Sequence, residues 1–266
     1  MNLGSLCSGI GGLDLGLEHG LGASTVWQVE QSEYCRRVLA RHWPNAQRFD
    51  DVHSVGAANL LPVGVICGGF PCQPSSFAGK HLAQSDPRWL WPEVARIVAE
   101  LRPAVCVFEN VLGLRTAGLR DVLRDLAALG FDAEWATSSA AELGGPHWRR
   151  RIFIVASDPM RVELRQQPGW LGRALERSRS PIPRDTVEAL LAADPDGLRR
   201  LEQAWRLSTE RGWPIHRGWR FDSTPRVDDV PTRGLVGAMR KAAGNAVVTA
   251  CAFVVGRAAR EAIEWR

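Results

Sequence analysis

Lysine is nearly missing from this chain of 266 residues: Lys80 and Lys241 are the only two, and 31 of the 33 basic side chains are arginine. Guanidinium forks suit phosphates and base edges better than ammonium groups do. A GC-rich coding sequence produces the same excess, and a formal net charge of +4 does not by itself make a nucleic-acid binder. No apolar run approaches the ~20 residues that cross a bilayer, so no membrane partner is expected. The opening residues Met1-Asn2-Leu3-Gly4 have no basic stretch and no long apolar one, so the expectation is a cytoplasmic protein rather than a secreted one. None of the six cysteines has Cys-x-x-Cys spacing or a companion Cys/His cluster, which excludes a zinc site as the working reading. Without a secretory signal a disulfide framework is excluded too. Most of the cysteines stand in apolar runs and read as small buried hydrophobes. Internal repeats and low-complexity tracts are missing. Hydrophobic residues at 45% and charged residues at 23% are globular values, and the length suits one large domain or one large and one small.

Short apolar strands alternate with helical spacing over the first two-thirds of the chain. Strands are expected at Asn2–Cys7, Ser24–Val29, Val63–Cys67, Ala104–Phe108 and Arg151–Ala156. Helices are expected from Leu13, over Gln31–His42, over Trp91–Leu101 and over Leu119–Leu129. This alternation means an α/β fold with a mainly parallel sheet, whose ligands sit at the carboxyl ends of the strands. The pattern changes near Asp158. Residues 158–226 hold 13 arginines, no lysine and 10 acids, with scattered prolines and four tryptophans, and read as a small second region. From Lys241 the spacing is helical again, with Val247, Val248, Cys251, Val254 and Val255 on one face returning to the first domain.

Five short motifs carry chemistry. Ser8-Gly9-Ile10-Gly11-Gly12 follows the first strand, where glycines let backbone amides approach a ligand; read alone, it is equally a tight turn. Carboxylates follow the next two units, Glu30 and Asp51, in places that suit ribose hydroxyls and an adenine amino group, or a helix cap. Gly68-Gly69-Phe70-Pro71-Cys72-Gln73 follows the strand Val63–Cys67 and places Cys72 as a nucleophile rather than as a core residue. Glu109, in Phe108-Glu109-Asn110-Val111, stands at the end of a buried strand, where a carboxylate needs a partner or a task. Arg149 and Arg151 alternate ahead of the strand beginning at Ile152, so both can point to one face. Gly244-Asn245-Ala246 opens the last helix.

In this order and spacing the motifs resemble those of the DNA (cytosine-5)-methyltransferase family of bacterial and phage type. The resemblance covers about residues 3–157 and 226–262. It implies a Rossmann-like α/β fold dependent on S-adenosylmethionine, formed by residues 1–157 and 240–266, with a small target-recognition domain at 158–239. Carried over residue by residue, it puts Ser8, Gly9, Ile10, Gly11 and Gly12 beside the methionine part of the cofactor and Glu30 on the ribose. Gln31 and Val52 flank the adenine, and Asp51 accepts its amino group. Gly69, Pro71 and Leu90 line the site, and Asn245 and Ala246 close it. Cys7 stands where the family often has phenylalanine, and Gln31 replaces a frequent aromatic or aliphatic residue.

The resemblance also implies the reaction. Cys72 adds to carbon 6 of a cytosine flipped out of the duplex, Glu109 contacts the ring at N3 and the amino group, and Arg149 and Arg151 hold the base carbonyl and the glutamate. Carbon 5 then takes the methyl group, loses its proton and releases Cys72. Gln73, Ser76, Lys80 and Arg88 would meet DNA, although Ser76 and Lys80 also read as a plain surface loop. The expected partner is double-stranded DNA, bound by a monomer with no metal, in a restriction-modification or phage-protective setting. A tRNA cytosine-5 methyltransferase, transfer of another group from a modified donor, and a binding protein that has lost turnover are the other readings of the same motifs.

Overall fold

A computed structural model describes residues 1–71, 89–139, 141–143, 150–179 and 249–265. Its frame is a seven-stranded sheet of β1 (Asn2–Leu6), β2 (Ser24–Val29), β3 (Gln47–Phe49), β4 (Val65–Gly68), β5 (Val105–Val111), β6 (Asp132–Ser138) and β7 (Arg151–Ser157). The order across the sheet is β3-β2-β1-β4-β5-β7-β6. The first five are parallel to one another, and β7 runs antiparallel to both β5 and β6. The chain winds outward from β1 to β3, then returns to β4 on the other side of β1. In sheets of this order ligands bind beyond the carboxyl ends of the strands at such a reversal, here those of β1 and β4.

Both faces of the sheet are covered, and the strand period of two divides the core between them. Val65, Cys67, Val105, Val107, Phe153 and Val155 pack with α1 (Gly12–Leu21), α6 (Trp170–Arg177) and α7 (Thr249–Ala262). Their neighbours Ile66, Cys106, Phe108, Ile152 and Ile154 pack with α3 (Trp91–Leu101) and α5 (Leu119–Ala128) on the opposite face. The near-continuous apolar runs of these strands follow from that double burial. Two further helices, α2 (Glu33–His42) and the single turn α4 (Leu114–Ala117), lie between these elements in sequence. Ser32 caps α2 by accepting from the Cys35 amide at 3.4 Å, which fixes its start two residues later than the apolar spacing from Gln31 suggests.

Two strands of this sheet have no counterpart in the sequence reading, nor do two short strands outside it. β6 reads Asp-Ala-Glu-Trp-Ala-Thr-Ser, with no apolar run; among the described residues it pairs with β7 alone, at the edge of the sheet. β3 has three residues. The described start of the region after Asp158 packs into the main frame. Asp158 is buried against Arg102, Nη2 to Oδ2 at 2.6 Å. Beyond it, β8 (Val162–Leu164) pairs with β9 (Ile263–Trp265), and Trp170, Leu171 and Leu175 of α6 join the core that holds α7. Glu134 on β6 accepts the Leu171 amide at 3.1 Å, placing a carboxylate at the start of α6.

Candidate active site at the strand ends

The turn after β1 is built to expose backbone. Gly9 and Gly11 have φ of +57° and +85°, the left-handed region that a side chain disfavours. At Gly11 space is a second constraint: a Cβ there would lie 2.4 Å from the Trp43 ring. Glu30, directly after β2, is held across this turn. Its Oε2 accepts the Gly9 amide and its Oε1 the Ser32 amide, each at 2.8 Å. The carboxylate is thereby fixed between the ends of β1 and β2, and each oxygen keeps a lone pair for a ligand hydroxyl. Asp51, two residues after β3, accepts the His53 amide on Oδ1 at 2.9 Å and starts a single 3-10 turn, Val52–Ser54. Asp51 is exposed and Val52 buried, so a polar acceptor stands beside an apolar wall. Glycine amides, an oriented Glu30 and an Asp51–Val52 pair fit the methionine, ribose and adenine parts of S-adenosylmethionine.

Cys7 lies at the β1 end with φ +53° and is half-buried. Burial, with the Glu30 carboxylate adding to it, pushes its thiol up to about 12, so it is no nucleophile at neutral pH. Cys35, Cys67, Cys106 and Cys251 are buried, as their apolar runs imply.

Beneath the glycine turn lies a polar cluster that sequence reasoning missed. Asp14 of α1 is fully buried, accepting from Ser5 Oγ at 2.7 Å and from Gln28 Nε2 at 2.8 Å. It ties α1 to β1 and β2 at the reversal point. Burial outweighs both hydrogen bonds and raises its carboxyl from 3.8 to about 6. The folded chain therefore holds this proton more tightly than the unfolded one does. The resulting stability is fully present below 3.8 and is lost as pH rises through about 6. Asn at this position can accept from Gln28 and donate to Ser5 without titrating. Asp14→Asn should thus gain about 1 kcal/mol relative to the wild type between pH 5 and pH 8. Urea unfolding at the two pH values measures this, and an unchanged difference would remove Asp14 from the pH profile.

β5 delivers Glu109 and Asn110 to opposite faces at its carboxyl end. Because β7 is antiparallel, its first residue, Arg151, arrives at the same end. Arg151 stands opposite Val111 and so diagonal to Glu109 on one face of the sheet. Arg151 Nε lies 2.8 Å from Glu109 Oε1, with the glutamate buried and the arginine 19% exposed. On the other face Asn110 Nδ2 donates to the Phe70 carbonyl at 2.9 Å, and Asn110 Oδ1 accepts the Val111 amide. Phe70 precedes Cys72 by two residues. Its ring packs against Trp89, Trp91 and Phe108 at centroid distances of 5.9, 5.2 and 6.2 Å. Aromatic contacts from β4, β5 and α3 thus gather the two ends of the segment that contains Cys72. The Asn110 role was unassigned from sequence, where an amide beside a strand-end glutamate is the only signal.

The structure brings together Ser8–Gly12, Glu30, Gln31, Asp51, Val52, Gly69, Pro71, Leu90, Glu109 and Arg151 along the carboxyl edge of β1–β5, as ends or immediate sequels of its elements. Cys72, Gln73, Ser76, Lys80, Arg88, Arg149, Asn245 and Ala246 lie outside the described residues.

The strand order, reversing at β1 and with β7 as the single reversed strand, defines a Rossmann-like, doubly wound α/β fold. The same fold is found in the Entamoeba histolytica methyltransferase EhMeth, with a TM-score of 0.63 over 98% of this chain and 97% of that one at 15% identity. It is found also in the S. pombe Dnmt2 methyltransferase, with a TM-score of 0.55 over 80% and 66% at 17% identity. Residues 1–214 match the family described as C-5 cytosine-specific DNA methylase, and the chain belongs to that family. Among curated relatives, the Type II methyltransferase M.NgoBI of Neisseria gonorrhoeae is 34% identical over 67% of this chain and 58% of its own. M.HgiCII of Herpetosiphon aurantiacus is 33% identical over 56% of this chain. The chain spans about a third to a half of some of these relatives, 36% of M.HgiCII and 47% of M.NgoBV.

Proposed function

We propose that this chain is a DNA (cytosine-5)-methyltransferase working through a covalent Cys72 adduct, and that it belongs, like its Type II relatives, to restriction-modification. The buried Glu109–Arg151 pair, set at the strand ends beside the Phe70 foot of the Cys72 segment, is the observation that carries this reading. Carbon 5 of a neutral cytosine is not nucleophilic. The Cys72 thiolate forms a bond to carbon 6, and the electrons of the 5,6 double bond pass into the ring. Glu109 meets N3 through a shared proton, which neutralises the charge developing there, and its other oxygen accepts from the exocyclic amino group, while Arg151 holds the carboxyl and the base carbonyl, with Arg149 assisting. S-adenosylmethionine supplies an electrophilic methyl group when bound. Carbon 5 would then carry that methyl, the donor's sulfur–methyl bond having broken to leave S-adenosylhomocysteine; its proton would pass to a base, and the bond from carbon 6 to the Cys72 sulfur would break to restore the double bond and the thiolate.

Ser8–Gly12 and Glu30 would hold the methionine and ribose parts, and Gln31, Asp51 and Val52 the adenine. Gly69, Pro71 and Leu90 would line the site, and Asn245 and Ala246 close it. Gln73, Ser76, Lys80 and Arg88 would contact the DNA backbone around a flipped base. Target reading falls to an arginine-rich domain within 158–239, whose guanidinium groups suit guanine edges, and the enzyme would act as a monomer on double-stranded DNA. The test is nucleoside mass spectrometry after incubation with S-adenosylmethionine and unmethylated duplex DNA, with tRNA in a parallel reaction. 5-Methyldeoxycytidine from DNA is the expected product. 5-Methylcytidine from tRNA alone would transfer the mechanism to RNA, and no modified base from either would refute methyl transfer.

A further inference from the structure

Arg96, in the middle of α3, makes four side-chain bonds in two directions. On its own helix, Nε donates to Glu93 Oε2 at 2.8 Å and Nη1 to Glu100 Oε1 at 2.7 Å. Away from the helix, Nη2 donates to the backbone carbonyls of Val52 and Val55 at 3.2 and 2.8 Å. Glu100 reinforces the join, its Oε2 accepting the Ala57 amide at 2.9 Å. His53 Nδ1 lies 3.6 Å from Glu93 Oε1. The segment from Val52 to Ala57 is thus laced to α3 by one guanidinium and the two carboxylates that orient it. The Ala57 amide and Arg96 together hold Glu100 below the usual carboxylate range.

This segment begins one residue after Asp51. Arg96 grips the carbonyl of Val52, the first residue of the 3-10 turn that Asp51 caps, and that of Val55, the residue directly after the turn. The two carbonyls flank the turn, so bonds to both from α3 hold the turn at its start and just past its end. At its other end α3 begins with Trp91, in the aromatic contacts that gather the ends of the Cys72 segment.

We infer that Arg96 is a positioning residue that sets the Asp51 carboxylate against the adenine amino group and fixes that contact to the helix anchoring the Cys72 segment. The inference rests on the cofactor reading above. A ligand pair separates the two: S-adenosylhomocysteine carries the adenine amino group, and S-inosylhomocysteine has a carbonyl oxygen there. A carboxylate aimed at that atom accepts from the first and faces an acceptor in the second.

Calorimetric dissociation constants are measured for both ligands on the full chain. The wild type should prefer the adenine form by at least about tenfold, the size expected for a polar contact replaced by a mismatch. In Arg96→Met the ratio should fall to about twofold or less. Arg96→Lys keeps a charge near Glu93 and Glu100 but has a single ammonium, which cannot meet both carboxylates and both carbonyls as the three guanidinium nitrogens do, and its ratio should lie between. A merely structural role for Arg96 weakens both ligands alike and leaves the ratio unchanged, which would overturn the proposal. If Arg96→Met does not fold, the lysine variant decides: a full wild-type ratio refutes the inference. Asp51→Asn is the control for the underlying reading and should abolish the preference. A wild type without preference, or an Asp51→Asn that keeps it, places the fault in the adenine assignment and removes the inference with it.

Discussion

Cys72→Ser should leave no detectable 5-methyldeoxycytidine while DNA and cofactor binding stay within a few-fold of the wild type. The argument lies in the difference between sulfur and oxygen. A thiol near its ordinary pKa supplies a useful fraction of thiolate at neutral pH, whereas a serine hydroxyl supplies essentially none without a dedicated base. The substitution keeps nearly the same volume and sits in a segment whose two ends are fastened by other groups. Asn110 bonds the Phe70 carbonyl on one side, and the Trp89 and Trp91 rings meet Phe70 on the other. Loss of the nucleophile should therefore not disturb the rest of the site. Duplex DNA containing 5-fluorocytosine provides an independent readout. After methyl transfer the fluorine on carbon 5 cannot leave as a proton does, so the carbon–sulfur bond cannot break. The wild type should accumulate a covalent DNA adduct, seen as a mass shift of the denatured protein, and Cys72→Ser should form none. Turnover by the serine variant would refute the covalent mechanism.

Gly16→Val should cost about 3 kcal/mol or more of stability and release α7 from the frame. Gly16 on α1 faces α7 at backbone distance. A Cβ there would lie 2.4 Å from Ala252 Cβ, 2.6 Å from the Thr249 carbonyl oxygen and 2.8 Å from the Phe253 amide nitrogen. One turn on, Gly20 approaches the Phe253 carbonyl oxygen and the Arg257 amide nitrogen as closely. No rotamer relieves a collision with backbone, so the helices must separate. Separation exposes Cys251, Ala252, Val255 and Ala259, all buried in the core beside Leu17 and Leu21. Urea unfolding should show a lower midpoint, and trypsin should cut at Arg257 and Arg260 under conditions that spare the wild type. A native-like midpoint and protection would mean that this close approach is not needed. Activity should fall as well, because α7 begins four residues after Asn245, the residue proposed to close the cofactor site.

The parallel core was legible in the sequence because strands buried on both faces are written as continuous apolar runs. Ser24–Val29 and Trp91–Leu101 occur with the expected bounds. Val65–Gly68 and Val105–Val111 are shifted or extended by a few residues, since pairing with neighbours rather than hydrophobicity sets where a strand stops. β6 escaped because a polar strand beside one partner carries no apolar signal. The packing of Val162–Leu164 and Trp170–Arg177 into the frame escaped for another reason. Their arginines and nearby prolines dominate the composition, while Trp170, Leu171 and Leu175 supply the buried face at helical spacing. The glycine turn, Glu30, Asp51, Glu109 and Arg151 were legible as motifs. What holds them was not. Ser5, Asp14, Gln28, Arg96 and Asn110 act through contacts between residues far apart in the chain, and short-range spacing does not encode such pairs.

The seating of α7 on α1 bears on how the protein is made. Gly16 and Ala252 meet across more than 230 residues of chain. A ribosome adding ~5–20 residues per second needs on the order of 10–50 s to deliver the second partner after the first. Over that interval the apolar flank of α1 has no final cover. Nascent chains halted upstream of Thr249 should therefore be good chaperone clients, and the frame should close only once α7 has been made.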